Sequence, residues 1–459
     1  MKQMTLNLKD SQYIDGITKK NSTQSELHAY FLSIDKLKKS IDSHSIETFS
    51  LQNKVTKKLD KHIVWYTYNN PNEATFYTSH YIGFYSTIVN KKPVDIEIKP
   101  RFGNGIFNYL VSYAYGLYIP KSDNTATSKS KNSNLWLITL MWKATLEKAL
   151  TKSQIPKEYK TFVRNSSSFK GQLKISKHIK YNLVDKSKFY CKYRKLTMDT
   201  TINQTIRYTY KLLIKKQEGL SGILRNVSEY DNKLQSFGVQ DREVHAHEIQ
   251  NIRYSKLNFH YKKVMELSKL IIKSESAKNN NKALSRDSFS YFLDISELWE
   301  NYLLKVLQKN LSEYEIYSPN EQGGEYLIEE NFRQIRPDII IEKDGKIVAI
   351  LDAKYKWYNK IGKYADIDNA VSRDDLYQMS TYLYHYANSD DKILGLFVSP
   401  MGADGEVKSF SKSKNHKIGV VSLDIKQFEG KEEFSLDEIQ KAEKSFIEQV
   451  KNKIVEFYK

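Results

Sequence analysis

"RPDIIIEKDGKIVAILDAKYKWY", residues Arg336–Tyr358, places charged side chains where an apolar strand ought to continue. Asp344-Gly345 divides it, because a two-residue hairpin turn needs positive φ at both positions. The first strand reads "RPDIIIE" and the second "KIVAILDAKYK". From Ile347 to Leu351 both faces of the second strand are apolar, so it should be central and buried. Asp352 and Lys354 follow at once. Side chains two apart on a strand share a face, so this carboxylate and this ammonium project together. Asp338 starts the preceding strand and should lie alongside, although it sits farther from the turn than a strictly paired position would. A bulge or an offset register would close the gap. Two carboxylates brought together repel unless a cation lies between them. Mg²⁺ suits such a pair, with waters and a substrate phosphate completing its shell. It would polarise the phosphate, with Lys354 beside it to offset transition-state charge. An isolated D-x-K is ordinarily an ion pair at a strand end. Here Pro337-Asp338, the hairpin and the apolar run into D-A-K agree on something more.

The whole chain sets the frame. Its 459 residues allow two or three domains, each with its own core. Hydrophobic residues make up 40% and charged residues 27%, a globular balance, and the net charge of +18 favours a polyanionic partner such as DNA. A solvated lysine surface on an AT-rich coding background is the blander account of that charge. The longest apolar run, "LWLITLMW" (Leu135–Trp142), falls short of the ~20 residues that span a bilayer, so no membrane is expected. One cysteine, Cys191, excludes an internal disulfide and a multi-cysteine zinc site. With no apolar leader at the N-terminus, the cytoplasm is the expected compartment.

Low-complexity stretches suggest boundaries. "KSDNTATSKSKNSN" (Lys121–Asn134) has no apolar residue larger than alanine, and "SAKNNNKALSRDS" (Ser276–Ser288) is similar. Three regions follow: 1–134, β-rich; 135–285, mainly helical; and 286–459, around the hairpin. In the first, "VDIEIKP" alternates Val94, Ile96 and Ile98 with charged residues, and "IFNYLVSYAYGL" looks helical. In the second, Tyr261, Val264, Met265, Ser268 and Ile271 share one helical face. In the third, "SELWENYLLKVLQKN" carries a stripe of Leu298, Trp299, Tyr302, Leu303, Val306 and Leu307, with Glu300 at its edge and Glu297 expected in solvent. Farther on, Ser372 with Asp375 makes a capping-box-like helix start, and Gln378 and Tyr382 lie four apart on one face.

Pro337-Asp338 with Asp352-Ala353-Lys354 resembles the PD-(D/E)xK nuclease superfamily. The resemblance implies Asp338 and Asp352 as Mg²⁺ ligands and Lys354 as a helper in phosphodiester hydrolysis. It adds Glu300 as the helix glutamate that reaches the metal, and Gln378 and Tyr382 as a Q-x-x-x-Y pair near the DNA. "GFYSTIVNKKPVDIEIKPRFG", the block around Lys170-Gly171, and Cys191, Tyr193, Asp199 and Asn203 resemble McrC-type restriction subunits. That narrower resemblance, over about residues 80–386, implies an α/β (α+β) multidomain chain. Its parts would be a β-containing N-terminal domain, a helical middle and a C-terminal restriction-endonuclease-like core. It implies an McrB-like AAA+ GTPase hexamer as partner, docked on the N-terminal region, with GTP entering through that partner alone. The chain itself contains no G-x-x-x-x-G-K-(S/T) phosphate loop. An autonomous nuclease of DNA repair and a catalytically idle adaptor are the alternatives. His245 and His247 have metal-like spacing but no third ligand in the sequence nearby.

Overall fold

The computed structural model describes residues 4–11, 16–20, 22–42, 47–49, 62–115, 133–216, 224–279, 291–319, 325–328, 332–355, 371–388, 391–401, 405–410, 413–429, 431 and 435–459. The chain is mixed α/β and forms two compact units, Met1–Lys129 with Arg286–Lys459, and Ser130–Ser285. The low-complexity residues 121–132 and 280–288 lie outside the described residues.

The first unit holds a six-stranded sheet in the order Glu315–Tyr317, Ile339–Lys343, Lys346–Ala353, Ile393–Ser399, Ser413–Ser422, Gly405–Phe410. The hairpin at its centre forms as the sequence indicates. Asp344 and Gly345 take φ of 53° and 74°, the left-handed values a tight turn between twisted strands requires. Lys346–Ala353 then runs parallel to Ile393–Ser399, which runs parallel to Ser413–Ser422. Parallel neighbours need a crossover, and the helix Arg373–Tyr386 supplies one. It lies close against the sheet at Gly395, where an added Cβ would come within 2.8 Å of Met379 Sδ. The apolar stripe of the Ile295–Asn310 helix is wholly buried, Leu298, Trp299, Tyr302, Leu303, Val306 and Leu307 all at 0% exposure.

The same unit contains a second sheet whose order is Met4–Lys9, Lys92–Lys99, Tyr81–Val89, Tyr291–Asp294, Glu47–Phe49. Val94, Ile96 and Ile98 are buried as the alternation indicates. Asp95 is buried too, its carboxylate accepting a 2.6 Å bond from Ser86 Oγ. Tyr291–Asp294, from beyond the second low-complexity stretch, pairs with Tyr81–Val89 and leads directly into the Ile295–Asn310 helix. Residues before 130 and after 285 therefore share one sheet.

The second unit is not helical throughout. Glu158–Ser166 and Phe189–Thr197 pair over nine residues as an antiparallel ribbon, with Gln172–Leu173 at its edge. The unit also holds the helices Ser133–Lys152, Thr201–Lys216 and Lys262–Asn279, the last packed against the other two. Tyr261, Val264, Met265, Ser268 and Ile271 are buried as a group, and Ser268 Oγ accepts from Trp142 Nε1 at 2.8 Å. The residues singled out in this region have structural work. Asn203 Nδ2 donates to the carbonyls of Pro156 and Met198 at 2.9 and 2.7 Å. Asp199 accepts from Gln204 Nε2 and from the Gln240 backbone. Cys191 is a buried free thiol. The His245 and His247 rings stack at 5.7 Å, with His245 capping a short helix. Among the described residues no helix is long and apolar enough to cross a membrane.

Candidate active site

The hairpin carries one extra residue, and that residue aligns the site. Ile339, Ile340 and Ile341 oppose Leu351, Ile350 and Ala349, whereas Glu342 opposes Ile347. Val348 is therefore the bulge residue. The surplus lies on the second strand rather than the first, so it is Asp352 that stands farther from the turn. Continued by one position, the register sets Asp338 beside Asp352. Their carboxyl groups interact, and Asp338 Oδ2 accepts from the Ala353 backbone at 2.8 Å. Burial pushes Asp338 well above the usual carboxylate range, and the charges of Glu300 and Asp352 push it further. Glu300 reaches this corner electrostatically from the Ile295–Asn310 helix, where it is half-buried. Glu297, expected in solvent, is buried at 5% exposure. It lies in the first turn of a helix packed on all sides, so its spacing from the apolar stripe misleads.

Lys354 faces the other side of the same corner. Its Nζ lies 2.6 Å from Asp352 Oδ2 and 3.1 Å from Asp375 Oδ1, and donates to Gln378 Oε1 at 2.8 Å. Burial pulls its pKa down, but Asp352, Asp375 and Asp338 outweigh that and leave it raised, so the ammonium stays charged. Gln378 Nε2 lies 2.6 Å from Tyr382 OH, which donates to the Arg336 carbonyl at 3.1 Å. Tyr382 is pushed up by burial and then by Asp352 and Asp338, which keeps its hydroxyl protonated. Gln378 and Tyr382, which the resemblance places near the DNA, form a chain that holds the lysine to the backbone just before Pro337.

Asp375 was legible only as a helix-start residue. Ser372 Oγ does accept from its backbone N–H at 3.2 Å, but the Asp375 carboxylate is buried against Lys354. The missed signal is helical spacing: Asp375, Gln378 and Tyr382 fall at i, i+3 and i+7 on one face.

The donor set at this corner is all oxygen. Asp352 Oδ2 is buried, makes no well-directed hydrogen bond and faces the Lys354 ammonium. Among the described residues no group of three or more His, Cys, Asp or Glu side chains is assembled as a metal cage. Two close carboxylates, with a third acting from a neighbouring helix, fit a hard cation that keeps waters and takes oxygen from a substrate, and do not fit zinc.

The likeness to known proteins runs through this corner. No curated protein matches the chain. A solved structure of Thermococcus gammatolerans McrB AAA+ hexamers with bound McrC aligns at a TM-score of 0.54 and 19% identity, over 98% of this chain and 100% of that one. A cryo-EM structure of the Thermococcus gammatolerans McrBC complex aligns at 0.35 and 19%, over 68% of this chain and 89% of that one. The sequence profile described as McrBC 5-methylcytosine restriction system component matches residues 77–397, which takes in the Tyr81–Val89 and Lys92–Lys99 strands, the whole second unit, the bulged hairpin and the Asp375–Tyr382 face. The chain belongs to the McrBC 5-methylcytosine restriction system component family.

Proposed function

We propose that this chain is the metal-dependent endonuclease subunit of a modification-dependent restriction system, with a PD-(D/E)xK core built on the six-stranded sheet. The observation that carries this reading is the convergence of Asp338, Asp352 and Lys354 at the ends of two paired strands. Asp338 and Asp352, with Glu300 beside them, would hold Mg²⁺. When bound, the ion would supply Lewis acidity at the scissile phosphate and offset the burial and the Glu300 and Asp352 charges that raise the Asp338 pKa. Lys354 supplies a fixed positive charge where the phosphate oxygens gain negative charge. Asp352, Asp375 and Gln378 fix its direction, so little reorganisation is needed as the reaction proceeds. Tyr382 holds Gln378 in turn.

Nothing in this corner reads a base. Phosphate contacts position a protein without carrying sequence or methylation information. Choice of methylated DNA is therefore assigned to a partner, an McrB-like AAA+ GTPase hexamer, and GTP acts through it. Family membership supports the assignment, as does the lack of a phosphate-loop motif in the sequence. The test is reconstitution with the AAA+ protein of the adjacent gene, using Mg²⁺, GTP and a methylated or an unmethylated plasmid. Cleavage of the methylated plasmid that needs both partner and Mg²⁺ is the expected result. Equal cleavage of both plasmids by the chain alone would establish an autonomous nuclease instead.

A further inference from the structure

Arg101 is buried at 2% exposure in the turn after the Lys92–Lys99 strand, far in sequence from the catalytic corner. Its backbone N–H donates to Asp10 Oδ1 at 2.5 Å. Asp10 is itself fully buried, one residue past the Met4–Lys9 strand, and its own N–H donates to the Lys99 carbonyl at 3.0 Å. The guanidinium turns the other way. Nη2 donates to the Tyr355 carbonyl at 2.6 Å, and the group lies 4.3 Å from the centre of the Tyr355 ring and 4.6 Å from that of Phe102. Phe102 meets the Tyr355 ring edge-on at 5.9 Å, and Trp299, next to Glu300, lies 6.2 Å away.

Tyr355 follows Lys354 in the chain. The ladder between Lys346–Ala353 and Ile393–Ser399 ends here, with the Lys354 N–H donating to the Val398 carbonyl at 2.9 Å. Just beyond it, the Tyr355 carbonyl goes to Arg101. Successive side chains of an extended chain face opposite ways, so the Tyr355 ring enters the core as the Lys354 ammonium enters the carboxylate corner. Lys354 is thus pinned from both sides of its Cα. A buried arginine is a poor device for stability alone, because its desolvation offsets most of what its contacts return. Its planar fork and stacking surface are a good device for fixing a neighbour's direction.

We infer that Arg101 is a positioning residue for the proposed nuclease, holding Tyr355 so that Lys354 stays aligned on Asp352, Asp375 and Gln378. The inference rests on the nuclease reading. It gives the N-terminal strand a part in the chemistry, since Asp10 holds the turn from which Arg101 reaches.

Arg101→Lys tests it in the reconstituted complex. A lysine keeps the positive charge but loses the fork and the stacking plane. The single-turnover cleavage rate should fall about 10- to 100-fold, the size typical of a lost outer-shell support. KM for DNA and the stimulation of GTP hydrolysis should stay at the wild-type level. On a Lys354→Ala background, followed to long times at enzyme excess, Arg101→Lys should add no further loss, because residues that act through each other are not additive. Should Arg101→Lys fail to fold, Tyr355→Leu, which removes the stacked ring and leaves the charge, carries the same two expectations. An unchanged rate, or the same fold-loss with and without Lys354, overturns the inference. A wild-type complex that does not cut overturns the nuclease reading itself.

Discussion

Two β structures in this protein use charge in opposite ways. Lys346–Ala353 is buried over most of its length, and its charged residues gather where it ends, with Asp352 at 3% exposure and Lys354 at 9%. The ribbon of Glu158–Ser166 and Phe189–Thr197 is exposed or half-buried along both strands, apart from Cys191. Its cations lie over its own rings: Arg164 is 5.6 Å from the Tyr193 ring, Arg194 is 5.5 Å from Tyr159, and Lys177 on the next helix is 5.5 Å from Tyr190. A buried charge has a large desolvation penalty and needs fixed partners, so it can be tuned and aimed. An exposed cation on an aromatic ring is adaptable and weakly bound, which suits contact with a macromolecule. The first arrangement suits bond-breaking and the second suits assembly. Variants in the two regions should therefore separate cleavage from partner coupling.

The largest expected effect comes from Asp338→Asn. Cleavage should drop about a thousandfold or more, as expected for losing a ligand of an essential ion. Without divalent cation, however, the variant should melt a few degrees higher at neutral pH, measured by calorimetry. The sign follows from titration. Folding raises the Asp338 pKa from its ordinary 3.8, so the folded state keeps a proton that the unfolded chain releases. Stability from this group is present at low pH and is lost as pH rises from about 4 through the raised value. The amide removes that loss. A lower melting temperature for Asp338→Asn would show that the carboxyl group is not strained by its neighbours.

Lys354→Ala should follow, slowing single-turnover cleavage about 10²- to 10³-fold, the size seen when one transition-state donor is removed. Gln378→Ala should lose about 10- to 100-fold, because it acts through Lys354. KM for DNA should barely move in Gln378→Ala. A raised KM with unchanged kcat would mean that Gln378 binds DNA instead, as the sequence alone suggested. The smallest effect on chemistry is expected from reversing Arg164, Lys192 and Arg194 together to glutamate. The triple variant should lower partner-stimulated GTP hydrolysis about tenfold, equivalent to roughly 1.4 kcal/mol of lost coupling. Once assembled at high partner concentration, it should cut at the wild-type rate.

What the sequence disclosed, and what it did not, follows the same division. The hairpin was legible because Asp344-Gly345 demands one turn and Ile347–Leu351 is apolar on both faces. The Lys354 corner was legible because charge in such a strand has few bland explanations. The bulge at Val348 could be anticipated as a need but not located, since no residue type marks it. Asp375 hid behind its place beside a capping serine. The ribbon was missed because neither face is buried, so "EYKTFVRNS" and "FYCKYRKLT" carry at most a short apolar alternation, Phe189, Cys191 and Tyr193. The pairing of Tyr291–Asp294 with Tyr81–Val89 joins segments some 200 residues apart, and local periodicity carries no trace of such a partner.

One reaction measures the central claim, that the buried corner cuts and the rest of the chain couples. Asp352→Ala is assembled with the GTPase partner on methylated plasmid with Mg²⁺ and GTP, and both outputs are read from the same tube. The variant should hydrolyse GTP at the wild-type stimulated rate while leaving the plasmid intact. If it cuts the plasmid as wild type does, the Asp338–Asp352–Lys354 corner is not the nuclease site.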